Sequence, residues 1–335
     1  MTQQGQEGAA PGGGRTAGRV VVGVDGSPGA RAALVWALAA AARSGAVLEL
    51  VSAHPVDFSW TDAHLLDTRR RDEIREEVRE DTETRVRGVL AEARQDPALS
   101  DVPGVADVAA EVVALPGPPA EHLLARAAGA RVLVVGSRGR GGVRSTLLGS
   151  VALHCAVHAP CPVVVVHPGA VQPPPRVVVG IEDSAMSRAA LARAAEEARE
   201  RGAELEVLAV HQPDPYWTDM YAVAAPPLAE SVEAVRDLAG RIVGEVLGAD
   251  ADVRLRVEAG AAADRLLRAA DGAALLVVGS HSTSRLAAML LGSIALHCAL
   301  HAPCPVMVVH PEPAGAPFPD AAVAAAEAAP VPAAG

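Results

Sequence analysis

The sequence contains very few aromatic residues: Phe, Trp and Tyr make up 2% of the 335 residues, although half of the chain is hydrophobic. The core must therefore be built from Val, Leu, Ile and Ala, a composition typical of helices packed on a buried parallel sheet. No basic block offsets the formal net charge of −11, which argues against a protein that binds nucleic acid or anionic membranes. We predict an α/β protein whose partners are small ligands or other proteins.

Long apolar runs and cysteine-rich segments are also missing. No stretch approaches the roughly 20 apolar residues of a membrane span, and residues 1–18 (MTQQGQEGAAPGGGRTAG) lack the apolar core of a signal peptide. Four Cys in a chain of this length do not form a secreted disulfide framework. We expect a cytoplasmic protein with no membrane partner.

The chain contains an internal duplication. The segment RVVVGVDGSPGARAALVWALAAAARSGAVLELVSAHP from Arg19 matches RVVVGIEDSAMSRAALARAAEEARERGAELEVLAVHQ from Arg176. Between residues 147–168 and 290–311, 19 of 22 positions are identical. Because a chain of this length holds about two domains, the duplication predicts two copies of one domain. The expected segments are a disordered tail at 1–18, domain 1 at 19–168, a Pro-rich linker at 169–175, domain 2 at 176–311 and a disordered tail at 312–335.

Each copy alternates short β-branched runs with helical patterns. In domain 1 a strand at Val20–Val24 precedes a helix that begins after Ser27, has Pro28 at its first position and is ended by Gly45. Five strands alternating with helices predict a doubly wound parallel sheet. The expected fold class is α/β, with two tandem doubly wound parallel five-stranded sheets flanked by helices. The other elements predicted for domain 1 are strands at Val47–Ala53, Val108–Ala114, Val132–Val135 and Val163–Val166 and helices at Arg69–Arg94, Pro119–Ala128 and Ser150–His158.

Two loops lie where a doubly wound sheet binds ligands, outside the carboxyl ends of its strands. Asp25 follows the first strand, while Gly136 ends the fourth and opens a loop that closes at Gly149 and Ser150. Glycines let the backbone approach a phosphate closely, and the start of a helix offers unpaired N–H groups. The pattern Gly136-x2-Gly139-x9-Gly149-Ser150 therefore predicts an anion cradle, and it matches neither the GxxxxGK[ST] nor the GxGxxG loop.

Together with the Val-rich first strand and the segment APCPVVVV, this motif resembles that of the universal stress protein family, here in tandem form. The resemblance covers nearly all of residues 19–311. It implies an adenine nucleotide alpha-hydrolase-like, Rossmann-like fold that binds ATP with Mg²⁺ and pairs through its last strand. The implied contacts in domain 1 are Asp25 to the ribose or to phosphate-bound Mg²⁺, the backbone at Ala53 to adenine, and Gly136, Gly139, Gly149, Ser150 and Val151 to the phosphates.

Arginines add positive charge to the same loop. Arg138, Arg140 and Arg144 follow Gly136, and we infer from their position that they pair with phosphate.

Domain 2 departs from the motif twice. Glu182 stands where domain 1 has Asp25, and Ser282 stands where the second glycine is expected. If that position needs a left-handed backbone, a side chain costs roughly 1–2 kcal/mol, about tenfold in affinity. The site residues expected in domain 2 are Glu182, Val210, Gly279, Gly292, Ser293 and Ile294.

Structural roles compete with several of these assignments. Taken alone, Asp25 could merely shape the turn before the first helix. The helical spacing of a His and Cys cluster is one that zinc sites use, but small thiols are ordinary core residues, so we assign the cluster to the core or to a dimer face. Its members are His154, Cys155, His158 and Cys161, repeated as His297, Cys298, His301 and Cys304.

The charged helix Arg69–Arg94 is expected to be a solvated face, with a partner-binding surface as the alternative. Trp60 and Trp217 follow the second strand of each copy and are expected to pack under a loop rather than stack on a base.

Three functions agree with this pattern. The first is an ATP-binding regulatory protein of the stress response that acts through dimerisation or partner binding. The second is a slow ATP hydrolase, although beyond Asp25 the loop offers no base or water-positioning group. The third is a protein-interaction module with one degenerate nucleotide site. We assign no catalytic residue and no metal ligand in the protein.

The assembly prediction concerns the last strand of each copy. The strands VVVVH and VMVVH would leave free sheet edges, and covering one with the other removes both. We therefore expect the two domains to form a pseudo-twofold pair within the chain, with a further homodimer and an unidentified regulatory protein partner.

Overall fold

A computed structural model describes residues 18–54, 68–139, 148–168, 176–212, 228–280 and 291–310. Over these residues the chain forms ten strands and eight α-helices, and none of these helices is both long and apolar enough to cross a membrane. The strands are β1 Arg19–Gly23, β2 Val47–His54, β3 Ala110–Pro116, β4 Val132–Gly136, β5 Val163–Val166, β6 Arg176–Ile181, β7 Glu204–His211, β8 Arg254–Ala259, β9 Leu275–Gly279 and β10 Val306–Val309. The helices are α1 Pro28–Ser44, α2 Thr68–Ala93, α3 Pro119–Ala127, α4 Ser150–His158, α5 Ala185–Arg201, α6 Leu228–Leu247, α7 Ala262–Ala269 and α8 Ser293–His301.

Some predictions concern residues outside the described ranges. They are the two tails, the linker at 169–175, Trp60, Trp217, Arg140, Arg144 and Ser282.

The ten strands form one sheet in the order β3-β2-β1-β4-β5-β10-β9-β6-β7-β8. Every pairing within a half is parallel, and the halves meet where β10 runs antiparallel to β5, with Met307 opposite Val164. The predicted α/β fold with two five-stranded parallel sheets is confirmed. The predicted pairing of the two last strands is also confirmed, and it turns the two sheets into one continuous sheet.

Local sequence sets where most elements begin and end. Helix α1 begins after Ser27, whose Oγ accepts the Ala30 N–H at 3.1 Å, and it ends at Gly45, which has a φ of 66°. Strand β3 begins at Ala110 rather than at the predicted Val108, because a 3₁₀ turn over Val105–Asp107 ends in a hydrogen bond from the Val108 N–H. The observed bounds of α4 and β5 are those predicted.

Aliphatic residues fill both faces of the sheet. One layer lies under α1, α2, α5 and α6 and runs across both halves, while two smaller layers lie under α3 with α4 and under α7 with α8. All four cysteines are free and buried, and desolvation raises the pKa of each thiol to about 12. The cysteines are therefore core residues, whereas His154 and His158 lie towards the surface of α4.

Each half also buries a glutamate between two arginines. Glu49 of β2 is 1% exposed and lies 3.0 Å from both Arg19 Nε and Arg126 Nη1. Because a buried carboxylate without a partner is costly, both arginines stabilise the strand that carries it.

Charged side chains of one half also contact residues of the other half. Arg131, just before β4, lies 2.6 Å from Glu200 of α5, and the Arg201 guanidinium lies 5.2 Å from the centre of the Trp36 ring on α1. Burial, followed by the positive charge of Arg201, lowers the pKa of Arg43 to about 10. Ionic and cation–π contacts thus hold the halves together in addition to the sheet.

Candidate functional site

The residues predicted for domain 1 lie at the carboxyl ends of its strands, where the strand order reverses. Asp25 follows β1, and Gly136 ends β4, the neighbour of β1 in the sheet. Ala53 lies near the end of β2, opposite Leu115 of β3. The structure therefore gathers the strand-end residues along one edge.

The remaining residues predicted for domain 1 belong to the loop after β4 and to the start of α4. Arg138 and Gly139 are exposed on the loop. Gly149 is the N-cap of α4, and its N–H donates to the Ser137 carbonyl oxygen at 2.8 Å, which closes the loop back onto β4. Ser150 and Val151 are the first two residues of α4, the first exposed and the second half-buried.

The two carboxylate oxygens of Asp25 have different surroundings. Oδ1 accepts the Ser27 N–H at 2.9 Å and so shapes the turn into α1. Oδ2 faces the loop, because a Cβ placed on Gly139 would lie 2.7 Å from it. Asp25 therefore shapes the turn through Oδ1, while Oδ2 lies beside the loop that follows β4.

Glycines bring the loop after β4 against the first turn of α1. A Cβ on Gly136 would lie 2.4 Å from the Gly29 carbonyl carbon, and a Cβ on Gly29 would lie 2.4 Å from the Arg138 carbonyl oxygen. The Ser27 hydroxyl donates to that same oxygen at 3.3 Å. Since the opposing atoms are backbone, no side-chain rotation could make room for a larger residue.

A left-handed backbone, which was considered as the reason for glycine at position 139, is not what the structure shows. Gly139 does not have a φ in the left-handed region. A Cβ there would instead lie 2.7 Å from Asp25 Oδ2, so a side chain at this position would have to displace that carboxylate.

In domain 2 the predicted residues line one cavity, with a volume of about 230 Å³. Leu208 and Leu266 form part of its apolar wall, and Ser187 and Gln212 add polar groups. An apolar pocket with a few polar groups is typical of small-molecule sites. The six predicted residues in its lining are Glu182, Val210, Gly279, Gly292, Ser293 and Ile294.

Glu182 does not repeat the turn made by Asp25. Its backbone N–H donates to the Ser187 Oγ at 2.9 Å, so a serine side chain holds this turn. Desolvation raises the pKa of the Glu182 carboxyl, and a hydrogen bond with Ser184 opposes the shift. The Glu182 side chain is therefore more easily protonated than that of an ordinary glutamate.

Sequence reasoning missed Gly29, Ser187 and Gln212. A signal for Gly29 was available, because glycine is unfavourable within a helix and the repeat has Met186 at the matching position. Nothing local indicated Ser187 or Gln212, which the fold brings to the cavity. Within the described ranges, no three His, Cys, Asp or Glu side chains are grouped to hold a metal ion.

Comparison with known proteins agrees with the duplicated fold. The sequence profile of the universal stress protein family matches residues 16–167 and again 175–310. A universal stress protein of Mycolicibacterium smegmatis is 32% identical over 307 residues, which cover 87% of this chain and 97% of that protein. One of Mycobacterium tuberculosis is 40% identical over 181 residues, covering 52% of this chain and 59% of that protein. The crystal structure of a universal stress protein from Archaeoglobus fulgidus shares the fold, with a TM-score of 0.61 at 21% identity over 88% of this chain and 99% of that one. This chain therefore belongs to the universal stress protein family and carries two of its domains in tandem.

Proposed function

We propose that this chain is an ATP-binding regulatory protein of the stress response, whose nucleotide occupancy alters dimerisation or partner contacts. The observation that carries the proposal is the cavity of domain 2, because every residue assigned to that site from the sequence lines it. The matching edge of domain 1 supports the same ligand class.

The residues of domain 1 fit a nucleotide phosphate chain. Gly136 and Gly139 keep the loop free of side chains, and the first turn of α4 presents N–H groups that have no partner within the helix. Arg138 is exposed at the same loop and would pair with phosphate. Asp25 would contact the ribose or a Mg²⁺ ion bound to the phosphates, and such an ion would neutralise part of the phosphate charge.

The residues of domain 2 fit the apolar part of a nucleotide. The cavity of about 230 Å³ is slightly smaller than the roughly 300–1,000 Å³ of ligand pockets, which suits a base and ribose. Glu182 and the start of α8 at Ser293 supply its polar end. We propose that domain 2 binds the same nucleotide class as domain 1.

The test is calorimetric titration of ATP with Mg²⁺ into nucleotide-stripped protein. Gly139→Asp and Gly292→Asp each place a carboxylate where phosphate should bind, and each should remove one site. The matched control is Gly88→Asp, because Gly88 lies on α2 and a Cβ placed there would have nothing within 4 Å. Binding that survives both substitutions in folded protein would refute the assignment of these loops as the phosphate sites, and a parent protein that binds no ATP would refute the proposal and favour an interaction module.

A turnover assay distinguishes the hydrolase alternative. ATP hydrolysis that disappears in Asp25→Ala would identify slow catalysis by domain 1, whereas binding without turnover agrees with regulation. A further homodimer, a regulatory protein partner and a cytoplasmic location stay predictions, and light scattering with and without ATP tests the first of them.

A further inference from the structure

Helices α4 and α8 each end with a carbonyl that their own backbone cannot satisfy. A helical carbonyl accepts the N–H four residues later, which for Ala156 is Pro160 and for Ala299 is Pro303. Proline has no N–H, and both alanines are fully buried. Each helix therefore needs a donor from outside itself.

A histidine of the opposite domain lies at each of these positions. His310, after β10, has its Nε2 2.9 Å from the Ala156 carbonyl oxygen, and because a carbonyl can only accept, the ring N–H donates. His167 occupies the same position after β5 and lies against the backbone at Ala299 and Leu300 of the other domain. Domain 2 thus completes the last turn of α4, and domain 1 places a histidine at the matching point of α8.

These two helices are also the ones whose first turns form the proposed phosphate sites. Helix α4 begins at Ser150 and α8 begins at Ser293, each six residues before the capped alanine. Since a helix rises about 1.5 Å per residue, the histidine contact lies about 9 Å from the phosphate end of one short rigid element.

His167 also interacts electrostatically with Arg138, which lies on the loop after β4 of its own domain. Burial is the main cause that lowers the pKa of His167. Its contacts with backbone carbonyl groups at Ala299 and Leu300 oppose this shift, whereas the positive charge of Arg138 and the neighbouring His301 lower the pKa further. An anion bound at Arg138 would offset that repulsion and favour the imidazolium. A cation at a helix C-terminus is stabilising, so the contact of His167 with α8 would strengthen.

We propose that crossed histidines couple the two nucleotide sites, with His310 as a positioning residue of the domain 1 site and His167 as a positioning residue of the domain 2 site. The inference rests on the proposed function, because it requires that the starts of α4 and α8 bind phosphate. It adds that each domain sets the nucleotide affinity of the other through the ends of these helices.

The test measures ATP affinity in chains that retain one site. In a Gly292→Asp chain, His310→Ala should weaken binding to domain 1 about 3- to 10-fold, because a buried carbonyl loses this donor. His310→Gln keeps an N–H at similar reach and should restore affinity to within about twofold. His167→Ala removes the matching histidine from α8 and should weaken binding to domain 1 by a smaller factor than His310→Ala, because it can act there only through the charge of Arg138. In a Gly139→Asp chain, which retains the domain 2 site, His167→Ala should weaken ATP binding more than His310→Ala does.

Amide hydrogen exchange without nucleotide separates failure of the inference from failure of the proposed function. His310→Ala should speed exchange in the last turn of α4 and not of α8, and His167→Ala should do the reverse. If each alanine variant speeds amide exchange in the helix of the opposite domain but ATP affinities do not change, the coupling is overturned and the histidine contacts are purely structural. If the parent protein binds no ATP, both the proposed function and the coupling fail, while exchange still decides whether each histidine caps the opposite helix.

Discussion

Replacing Gly29 with alanine should separate protein stability from nucleotide binding. Gly29 lies in the first turn of α1, and a Cβ there would lie 2.4 Å from the Arg138 carbonyl oxygen, against an ordinary contact of at least 3.4 Å. Because the opposing atom is backbone, the loop would have to retreat by about 1 Å.

Two effects of opposite kind follow from Gly29→Ala. Alanine is favoured over glycine within a helix by roughly 1 kcal/mol, so the free energy of unfolding should not fall greatly. A hydrogen bond of about 2.9 Å that lengthens by about 1 Å is lost, and one made to a charged group is worth roughly 1.5–3 kcal/mol. Loss of one bond between loop and phosphate therefore weakens ATP binding about 10- to 100-fold.

The assay is calorimetric titration of ATP into a Gly292→Asp chain, with urea unfolding measured on the same samples. Gly88→Ala is the matched control, because Gly88 is a helical glycine on α2 with nothing within 4 Å, and this change should stabilise the fold without affecting ATP. If Gly29→Ala binds ATP as tightly as Gly88→Ala, the contact between the loop and α1 does not set the phosphate site.

Four further predictions test the packing. Arg126→Met leaves the buried Glu49 with one arginine fewer and should lower the free energy of unfolding by about 2 kcal/mol, and an unchanged urea midpoint would contradict this. Arg131→Ala removes the 2.6 Å contact with Glu200 and should destabilise the fold by about 1 kcal/mol, with a smaller effect at high salt; equal losses at both salt concentrations would argue against an ionic contribution. The four thiols, whose pKa is raised from 9.0 to about 12, should resist alkylation at about pH 8. Stability should fall as the pH rises from 9.0 towards 12, because unfolded thiols ionise while folded ones keep their protons, and a chain with alanine in place of the cysteines should show a smaller fall.

Secondary structure could be predicted where a complete local signal was present. Helix α4 and strand β5 have the predicted bounds, since prolines and a glycine mark where each begins or ends. The predicted start of β3 was wrong because Val108 caps the 3₁₀ turn at Val105–Asp107, where Val105 is buried, and does not belong to the strand. An apolar run alone cannot distinguish a buried turn from a strand.

The strand-end residues of the site could be predicted because parallel strands gather their carboxyl ends at one edge. The contacts that shape the site could not, since they join distant parts of the sequence. Ser27 and Arg138 are 111 residues apart, and His310 and Ala156 are 154 apart. Only the assembled sheet shows which backbone atoms meet, and hence why a side chain at Gly29 would push the loop after β4 away.

The antiparallel β5–β10 pair joins strands of one polypeptide, so its formation does not depend on how much protein is present. A short connection at 169–175 keeps the two halves at an effective concentration on the order of millimolar, and the pair should survive dilution that would separate independent subunits. Covalent fusion also removes the need for identical surfaces. In a symmetric dimer of either half each residue would face a copy of its own surface, whereas here Trp36 of one half meets Arg201 of the other. The two fused copies can therefore carry different residues on the surfaces through which they contact each other.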